Sequence, residues 1–361
     1  MPPFSSRARS LGCAAAATSM GLALSLAAPA GGAPPPKPKL EAPLVRLSID
    51  PSSPSQYRLE IVNEGAVPLR VLADARLLRL EIVSPSASAS TDKKGKPVKL
   101  APTICELPPS MREATRVATL PPGARYLEAF DPRLYCLGAS AKLVPAATLV
   151  ARLGWQPSKG PLSPPFAVAP ASSSAGIASA KEIAASPVVL PSPSTMPVAS
   201  ASASTASPKP VLLARPGPAV SYVDGDDAHA TLVLENPGPA PHAVYARPQV
   251  LRATVRTPLG FTVDCVGKPI TPAPITDFVV HLAASGTWTG SIALSTICPR
   301  GTFDRPGLYE VTPYLKAPAL FKTPGAVSGI LTASGPQLVR IETGSIPFHD
   351  APPIVLSAKP L

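Results

Sequence analysis

The sequence is poor in the residues from which metal and cofactor sites are usually built. It has four histidines and five cysteines in 361 residues. The histidines are scattered, and none stands at a metal-ligand spacing from another. Cys-x-x-Cys, His-Glu-x-x-His and the phosphate-binding Gly-Lys loop are all absent. We therefore expect no cofactor and no metal. The four histidines are His229, His242, His281 and His349.

A nucleophile suited to hydrolysis is also missing. The segment nearest to a Gly-x-Ser-x-Gly turn is 325–329, and it places Ser328 one position too late. No nucleophile–base pair can be assigned from the sequence. We therefore predict a protein that is not an enzyme, and a hydrolase is the least favoured alternative.

Aromatic residues make up 5% of the chain, proline is abundant at 51 residues, and helical periodicity is scarce. This composition favours many short strands joined by turns. Beyond residue 30 no apolar run approaches the ~20 residues that a spanning helix needs. We expect an all-β protein without a membrane span.

Asparagine occurs only twice, and the two asparagines mark an internal repeat. Residues 56–83 return within 228–256, with a constant shift of 173. Apolar residues alternate with polar ones in both copies, which predicts strands. The repeat predicts one small β-domain used twice. Matching pairs include Leu59 and Leu232, Asn63 and Asn236, Gly65 and Gly238, and Pro68 and Pro241.

Each first strand of the repeat ends at Asn-x-Gly, formed by Asn63 and Gly65 in one copy and by Asn236 and Gly238 in the other. Asparagine tolerates a left-handed backbone and glycine adopts it freely, so we predict chain-reversing turns. A ligand contact at this loop is the alternative.

Four cysteines follow the N-terminal region at matching places in the two copies. Four cysteines allow three pairings. The duplication selects Cys105 with Cys136 and Cys265 with Cys298. Each bond would close a loop of about thirty residues, worth about 3–4 kcal/mol in the chain-entropy model. A metal site is the rival interpretation, and the spacing does not support it.

The N-terminus is typical of a secretory signal peptide. Arg7 and Arg9 precede an apolar stretch at 11–28, and Ala28 and Ala30 give a small-x-small cleavage pattern. Most of the apolar stretch follows Cys13, whereas the apolar run of a lipoprotein signal precedes its cysteine, so we expect Cys13 to leave with the signal rather than to carry lipid. We predict a secreted or periplasmic protein.

Composition divides the rest of the chain. Of the 38 residues at 171–208, 26 are Ala, Ser or Pro, which predicts a disordered linker. Such a linker would let the two domains engage one surface or two partners. The predicted organisation is a signal peptide at 1–30, a Pro-rich lead-in at 31–40, a β-sandwich at 41–170, the linker at 171–208, a second β-sandwich at 209–345 and a C-terminal tail at 346–361.

One segment of the first copy, 84–99, has no counterpart in the second. It is polar, Ser-rich and basic, with a run of lysines between positions 93 and 99. We expect an exposed flexible loop. Binding of anionic polymers by this run is the alternative.

Two further features allow a functional interpretation. Asp224, Asp226 and Asp227 could hold calcium, but the EF-hand spacing is absent, and a solvated turn is the simpler prediction. Trp288 and Tyr309 could anchor a partner, although core packing is favoured.

The order of signals resembles a known superfamily. An apolar run leads to Asn-x-Gly, then to Leu-Pro-Pro-Gly at 120–123, then to a Pro-Gly-x-Tyr strand at 306–311. This order is similar to bacterial immunoglobulin-like and fibronectin type III-like sandwiches, in particular small extracytoplasmic domains of the BsuPI-like type. The resemblance implies two immunoglobulin-like antiparallel β-sandwiches. The cysteine spacing differs from that of antibody domains, and Trp155 and Trp288 fall on different strands, so no functional residue is carried over.

The net charge is +11, and removal of Arg7 and Arg9 with the signal would leave +9. A basic exported protein adheres weakly to anionic surfaces. Nucleic acid is not expected as a partner, because no motif for its binding occurs.

We predict a structural or adhesive binding role in the cell envelope, with an envelope polymer or a protein as partner. A protein-binding inhibitor or periplasmic accessory protein is the alternative. The sequence does not predict the oligomeric state.

Overall fold

The computed structural model describes residues 40–53, 55–84, 101–112, 116–154, 166–172, 176–191, 212–247, 250–267, 276–319 and 323–357. Contacts divide the chain into residues 1–39 and residues 40–361, and only the second unit contains described residues. The predicted signal peptide and nearly all of the insertion at 84–99 therefore lie outside the described residues.

The first half of the chain forms strands wherever apolar and polar residues alternate. In the second strand, for example, Tyr57, Leu59 and Ile61 are buried and their neighbours are not. The elements are β1 Val45–Ser53, β2 Gln56–Asn63, β3 Leu69–Leu72, β4 Leu78–Val83, β5 Thr103–Glu106, β6 Val117–Leu120, β7 Arg125–Phe130, α1 Pro132–Tyr135, β8 Thr148–Leu153, β9 Val168–Pro170, β10 Ile183–Ala184 and β11 Val188–Val189.

The second half repeats this series. Its elements are β12 Leu213–Pro216, β13 Val220–Tyr222, β14 His229–Glu235, β15 His242–Tyr245, β16 Leu251–Arg256, β17 Thr262–Cys265, β18 Val279–Leu282, β19 Thr287–Ala293, α2 Leu294–Ile297, β20 Gly307–Ala317, β21 Ala326–Val327, β22 Gly329–Thr332, β23 Gln337–Ile341 and β24 Val355–Leu356. None of the described helices is long and apolar enough to span a bilayer.

The two halves share one order of strand pairing. In the first half β2 lies between β1 and β7, β4 lies between β5 and β8, and β3 lies between β6 and β9. In the second half β14 lies between β12 and β19, β16 between β17 and β20, and β15 between β18 and β21. The prediction of an all-β protein made of two sandwiches is thus confirmed.

The predicted linker at 171–208 is wrong for its first half. The strands β10 and β11 both pair with β8, as β22 and β23 both pair with β20. Ala185 and Leu190 are buried in the core of the first sandwich. An Ala- and Ser-rich composition suggested disorder, but small side chains and a few Val and Leu are enough to extend an existing sheet. The first sandwich therefore ends near residue 191, not 170, and residues 192–211 lie outside the described part.

The two sandwiches contact each other directly. Leu308 of β20 is buried in the core of the first sandwich. Phe348 and Val355 from the C-terminal segment, residues 346–357, pack against that core. Strand β24 pairs with β7, which places Val355 opposite Tyr126. Residues 40–361 thus form one compact unit. The predicted picture of two domains engaging partners independently needs correction, because contacts hold them together.

The disulfide pairing selected by the duplication is confirmed. Cys105 bonds Cys136, and Cys265 bonds Cys298. In each sandwich the bond joins the strand after the repeat, β5 or β17, to the end of the short helix α1 or α2. It therefore ties one sheet of each sandwich to the chain that leaves the other sheet.

Candidate functional site

At the predicted turn, the side chain of Asn63 joins two parts of the first sandwich by hydrogen bonds, an arrangement that we call the asparagine clasp. The side-chain amide of Asn63 donates to the carbonyls of Val67 and Leu120, each at 2.8 Å, and its oxygen accepts from the backbone N–H of Gly65 at 3.0 Å. The side chain is fully buried. Since its donors and its acceptor are engaged inside the fold, Asn63 stabilises the fold and does not offer a ligand contact.

The second sandwich repeats the clasp. The amide of Asn236 donates to the carbonyls of Ala240, Leu282 and Ala283 at 2.9, 3.1 and 2.9 Å. Its oxygen accepts from the N–H of Gly238 at 3.0 Å. The same device therefore holds the same turn in both halves.

The predicted left-handed backbone at the Asn-x-Gly turns was wrong. None of the four predicted turn residues has a positive φ. The left-handed residues lie in the facing turn, at Gly123 with φ 72° and Ser285 with φ 58°. Their N–H groups donate to the backbone carbonyls of Asn63 and Asn236 at 2.8 and 3.0 Å. Asparagine is required for its side-chain hydrogen bonds, not for its backbone freedom.

A cleft of about 480 Å³ lies where the two sandwiches meet. The first sandwich contributes the end of β7 and α1, and the second contributes the start of β20 and the hairpin between β16 and β17. Phe348 and His349 of the C-terminal segment form a third wall. Because three parts of the chain build it, the cleft exists only while the sandwiches remain in contact.

An ion-pair network crosses this cleft. The guanidinium of Arg133 contacts Asp131 at 2.7 Å and Glu310 of the second sandwich at 2.6 Å. Burial lowers the pKa of Arg133, but its hydrogen bonds to the two carboxylates more than offset this and raise the pKa. Glu310 also lies 3.8 Å from the more exposed Arg256. The carboxylates are already paired, so none of them is poised as a free base.

The C-terminal segment is fixed to both sandwiches. Arg305 donates to the carbonyl of Pro347 at 2.8 Å and also pairs with Asp350. The guanidinium of Arg76 in the first sandwich lies 5.1 Å from the ring centre of Phe348, a cation–π contact. These contacts place His349 over the first sandwich.

His349 meets a group of buried charges there. Asp74 is fully buried and forms a paired hydrogen bond with Arg76, whose Nη2 lies 2.7 Å from Asp74 Oδ2. Glu128 pairs with Arg116 at 3.2 Å. His349 Nε2 lies 3.3 Å from both Asp74 Oδ1 and Glu128 Oε1. Burial raises the pKa of Asp74, but hydrogen bonds from His349 and Arg76 outweigh it and lower that pKa.

Sequence reasoning missed this cluster because its members are distant in sequence. His349 and Asp74 are 275 residues apart. The one local signal was the pair Asp74 and Arg76 directly after an apolar strand, at a place where burial would leave each charge in need of a partner.

The described residues of the second sandwich form no such cluster at the equivalent place. The constant shift of 173 puts Arg247 at the position of Asp74. The strand registers put Gly290 at the position of Glu128, since Leu59 faces Glu128 and Leu232 faces Gly290. The charged group is therefore specific to the first sandwich.

The remaining predicted features are structural in character. Asp224 Oδ1 accepts from the backbone N–H groups of Asp226 and Asp227 at 3.0 and 3.4 Å, as in a solvated turn. Tyr309 is buried in one core cluster of the second sandwich, and Trp288 packs against another cluster of the same sandwich. The predicted lysine run and Trp155 lie outside the described residues.

No protein-family model and no curated protein matches this chain. Two solved structures show a faint likeness at 12% identity. A red sea bream transglutaminase has a TM-score of 0.18, with 82% of this chain and 31% of the transglutaminase covered. The human OSCAR ligand-binding domain has a TM-score of 0.15, with 83% and 100% covered. The chain thus spans about a third of the transglutaminase, and neither likeness supports a functional argument.

Proposed function

We propose that this chain is an exported, non-catalytic binding protein with a structural or adhesive role in the cell envelope. Its two immunoglobulin-like sandwiches would act as one rigid body that presents the cleft between them. The observation that carries the proposal is the cleft itself, since both sandwiches and the C-terminal segment build it. Binding sites occur preferentially at such domain junctions.

The two disulfides support an extracytoplasmic location. Each closes a loop within one sandwich, with sequence separations of 31 and 33 residues. Disulfides of this kind persist in oxidising compartments and are rare in reducing ones. They agree with the signal peptide expected at 1–30.

A binding role is supported by the rim of the cleft. The hairpin between β16 and β17 exposes Leu259, which lines the cleft and is 60% accessible, and also Phe261, which lies two residues further along the chain and is 66% accessible. Arg256, at the base of the hairpin, is also largely exposed. Aromatic and arginine side chains are enriched at protein interfaces. A non-catalytic role is supported by the carboxylates of the cleft, which are held in ion pairs.

Co-sedimentation with isolated bacterial cell-wall sacculi tests the adhesive proposal. We expect the chain to sediment with them, and we expect L259S and R256E, at two exposed residues that line the cleft, to weaken this sedimentation. The matched control is I330S, because Ile330 is 65% exposed in the same sandwich but does not line the cleft. If I330S reduced sedimentation as much as the cleft variants do, or if the parent chain did not sediment, the proposal would be contradicted.

The exposed apolar hairpin also favours a second candidate, a protein-binding inhibitor. Stoichiometric loss of a purified protease's activity, relieved by F261S, would support it. Turnover of any substrate that one point substitution abolishes would overturn the non-enzyme proposal.

A further inference from the structure

One sheet edge of the second sandwich is open where the matching edge of the first sandwich is covered. In the first sandwich β7 pairs with β2 on one side and with β24 on the other. In the second sandwich β19 takes the place of β7 and pairs with β14. Within the part of the chain that the structure describes, no strand pairs with the other side of β19. The duplication thus supplies one edge that accepts an added strand and an equivalent edge without one.

The backbone groups on the open side of β19 can be identified. The N–H of Asn236 donates to the carbonyl of Gly286, and the N–H of Leu294 donates to that of Ala228. Because successive residues of an antiparallel strand direct their N–H and C=O groups to opposite sides, the even-numbered residues between these points face β14. The residues between them direct their backbone groups to the open side, and their side chains are exposed. These residues are Thr287, Thr289 and Ser291.

The covered edge of the first sandwich shows how such groups are used. The strand registers match Gly290 with Glu128. Counting back three residues on each strand matches Thr287 with Arg125. Arg125 lies opposite Leu356 of β24, and the two strands are antiparallel. The first sandwich therefore binds an antiparallel strand at the position that Thr287 occupies in the second.

Strand β19 lacks the features that prevent edge pairing. Exposed edge strands usually carry charged residues or proline, which discourage pairing with another chain. Among the described edge strands only β1 and β19 are longer than four residues. Strand β1 contains Arg46, Asp50 and Pro51, whereas β19 contains no charged residue and no proline. Nothing in the sequence of β19 therefore opposes a further strand.

A second copy of β19 fits this edge. If two copies pair antiparallel about a two-fold axis at Thr289, then Thr289 lies opposite itself and Thr287 lies opposite Ser291. Every residue that forms hydrogen bonds in this register is one whose backbone groups face the open side, and each such pair exchanges two bonds. The facing side chains are short and uncharged, and Thr–Thr and Thr–Ser pairs are favourable across strands. The edge is thus self-complementary, as a two-fold interface requires.

We propose that the chain forms a symmetric dimer in which the β19 strands of two copies pair antiparallel, centred on Thr289. The sheet β12-β14-β19 of each copy then continues into that of the other. An edge contact buries little surface, so the association is weak. Strand β19 contributes no residue to the cleft, so the dimer does not depend on the proposed envelope role.

Sedimentation equilibrium of the full chain from micromolar to millimolar concentration measures the association, and amide hydrogen exchange locates it. We expect a dimer at the upper concentrations. We also expect the amide protons of Thr287, Thr289 and Ser291 to become protected as concentration rises, while that of Gly290, which faces β14, is protected throughout. A chain that stays monomeric at millimolar concentration overturns the proposal, even where another protein binds the same edge. A dimer whose three amides stay unprotected overturns it as well.

Charged variants test the register. We expect T289K to weaken dimerisation by at least about tenfold, because it sets two ammonium groups opposite each other. The control is T262K, because Thr262 is an exposed residue of β17, another edge strand of the same sandwich. Circular dichroism shows which variants fold, and T287K replaces T289K if that variant does not. Undiminished dimerisation by the folded variant, or an equal loss in T262K, overturns the proposal.

A mixing experiment tests the two-fold centre directly. T289E should weaken dimerisation as T289K does, since two carboxylates then face each other. An equimolar mixture of T289K and T289E should associate again, because each ammonium now faces a carboxylate across the strands. A mixture that associates no better than either variant alone overturns the pairing centred on Thr289.

Discussion

The two sandwiches share the contacts that hold their turns and sheets together, but they differ in the side chains at one place. Both have the asparagine clasp and the disulfide at equivalent places. In the loop after β3, however, the first sandwich has the buried Asp74, whereas in the equivalent loop after β15 the second has Arg247. On the facing strand, the first has Glu128 and the second has Gly290.

The second sandwich fills the same space with rings. The guanidinium of Arg247 lies 4.9 Å from the ring centre of Phe278, which is a cation–π contact. The ring of Trp288 lies so close to Gly290 that a Cβ there would come within 2.1 Å of it. Since the duplication supplies the same backbone twice, this difference marks the place where the first sandwich is specialised to receive the C-terminal segment.

The largest expected difference between the sandwiches comes from equivalent substitutions at this place. D74A removes the carboxylate that pairs with the buried guanidinium of Arg76. This loss should lower the free energy of unfolding by about 3–5 kcal/mol. R247A removes a cation–π contact and should cost about 1 kcal/mol. Urea unfolding of the two variants measures both. Equal losses would contradict the distinction drawn between the sandwiches.

The disulfides should instead behave alike. Replacing Cys105 and Cys136 with alanine opens a loop with a sequence separation of 31, and replacing Cys265 and Cys298 opens one of 33. The chain-entropy model gives a loss of about 3–4 kcal/mol in each case. Urea unfolding under non-reducing conditions checks this. A loss confined to one sandwich would show that the two bonds are not equivalent.

The asparagine clasps should also be equivalent. N63A and N236A each leave buried backbone groups without their side-chain partner, which should cost about 2–3 kcal/mol. Amide exchange at Gly65 and Gly238, whose N–H groups donate to the two asparagines, reports the local opening. N63D is a stricter variant, because it turns a carboxylate toward two carbonyl oxygens. Unchanged exchange would mean that the turns hold without the clasp.

Much of this fold was predictable from the repeat. Period-two alternation located strands such as β2 and β14, and matching positions of Cys105 and Cys265 selected the disulfide pairing. Composition failed at 176–191, because strands at the edge of an existing sheet need few apolar residues. The sequence predicted the residue type of the clasp but not its acceptors, since Asn63 and Leu120 are 57 residues apart.

The charged cluster and the cleft were not predictable. They depend on how two duplicated units pack, and nothing in the pattern of either unit records that packing. His349 stands in a weakly patterned tail, where no local signal links it to Asp74. Long-range polar contacts of this kind become visible only in three dimensions.

One buried tyrosine in each sandwich has a pKa raised to a similar value. Burial raises the pKa of Tyr57 to about 12, with a contribution from Asp131, and burial raises that of Tyr309 to about 12 against its hydrogen bond to Arg305. A raised folded pKa favours the neutral phenol, so its stabilisation is complete below about pH 10 and is lost as the pH rises to 12.

Each tyrosine should therefore contribute a loss on the order of 1 kcal/mol at pH 11. Y57F and Y309F remove the ionising hydroxyl, and each should move alkaline unfolding to higher pH, as followed by circular dichroism. An unchanged alkaline transition in Y57F would show that its phenol is not protected by the fold.

The smallest expected effect concerns the left-handed turn that faces each clasp. Gly123 and Ser285 occupy equivalent positions, with φ of 72° and 58°. A side chain in this conformation costs about 1 kcal/mol, and glycine's greater freedom in the unfolded state offsets part of that cost. We expect G123S to destabilise the chain and S285G to stabilise it, each by about 0.5–1 kcal/mol. The double exchange should then be nearly neutral if the two turns are equivalent. A net change beyond about 1 kcal/mol would show that the packing around the turns, and not only their backbone, has diverged between the sandwiches.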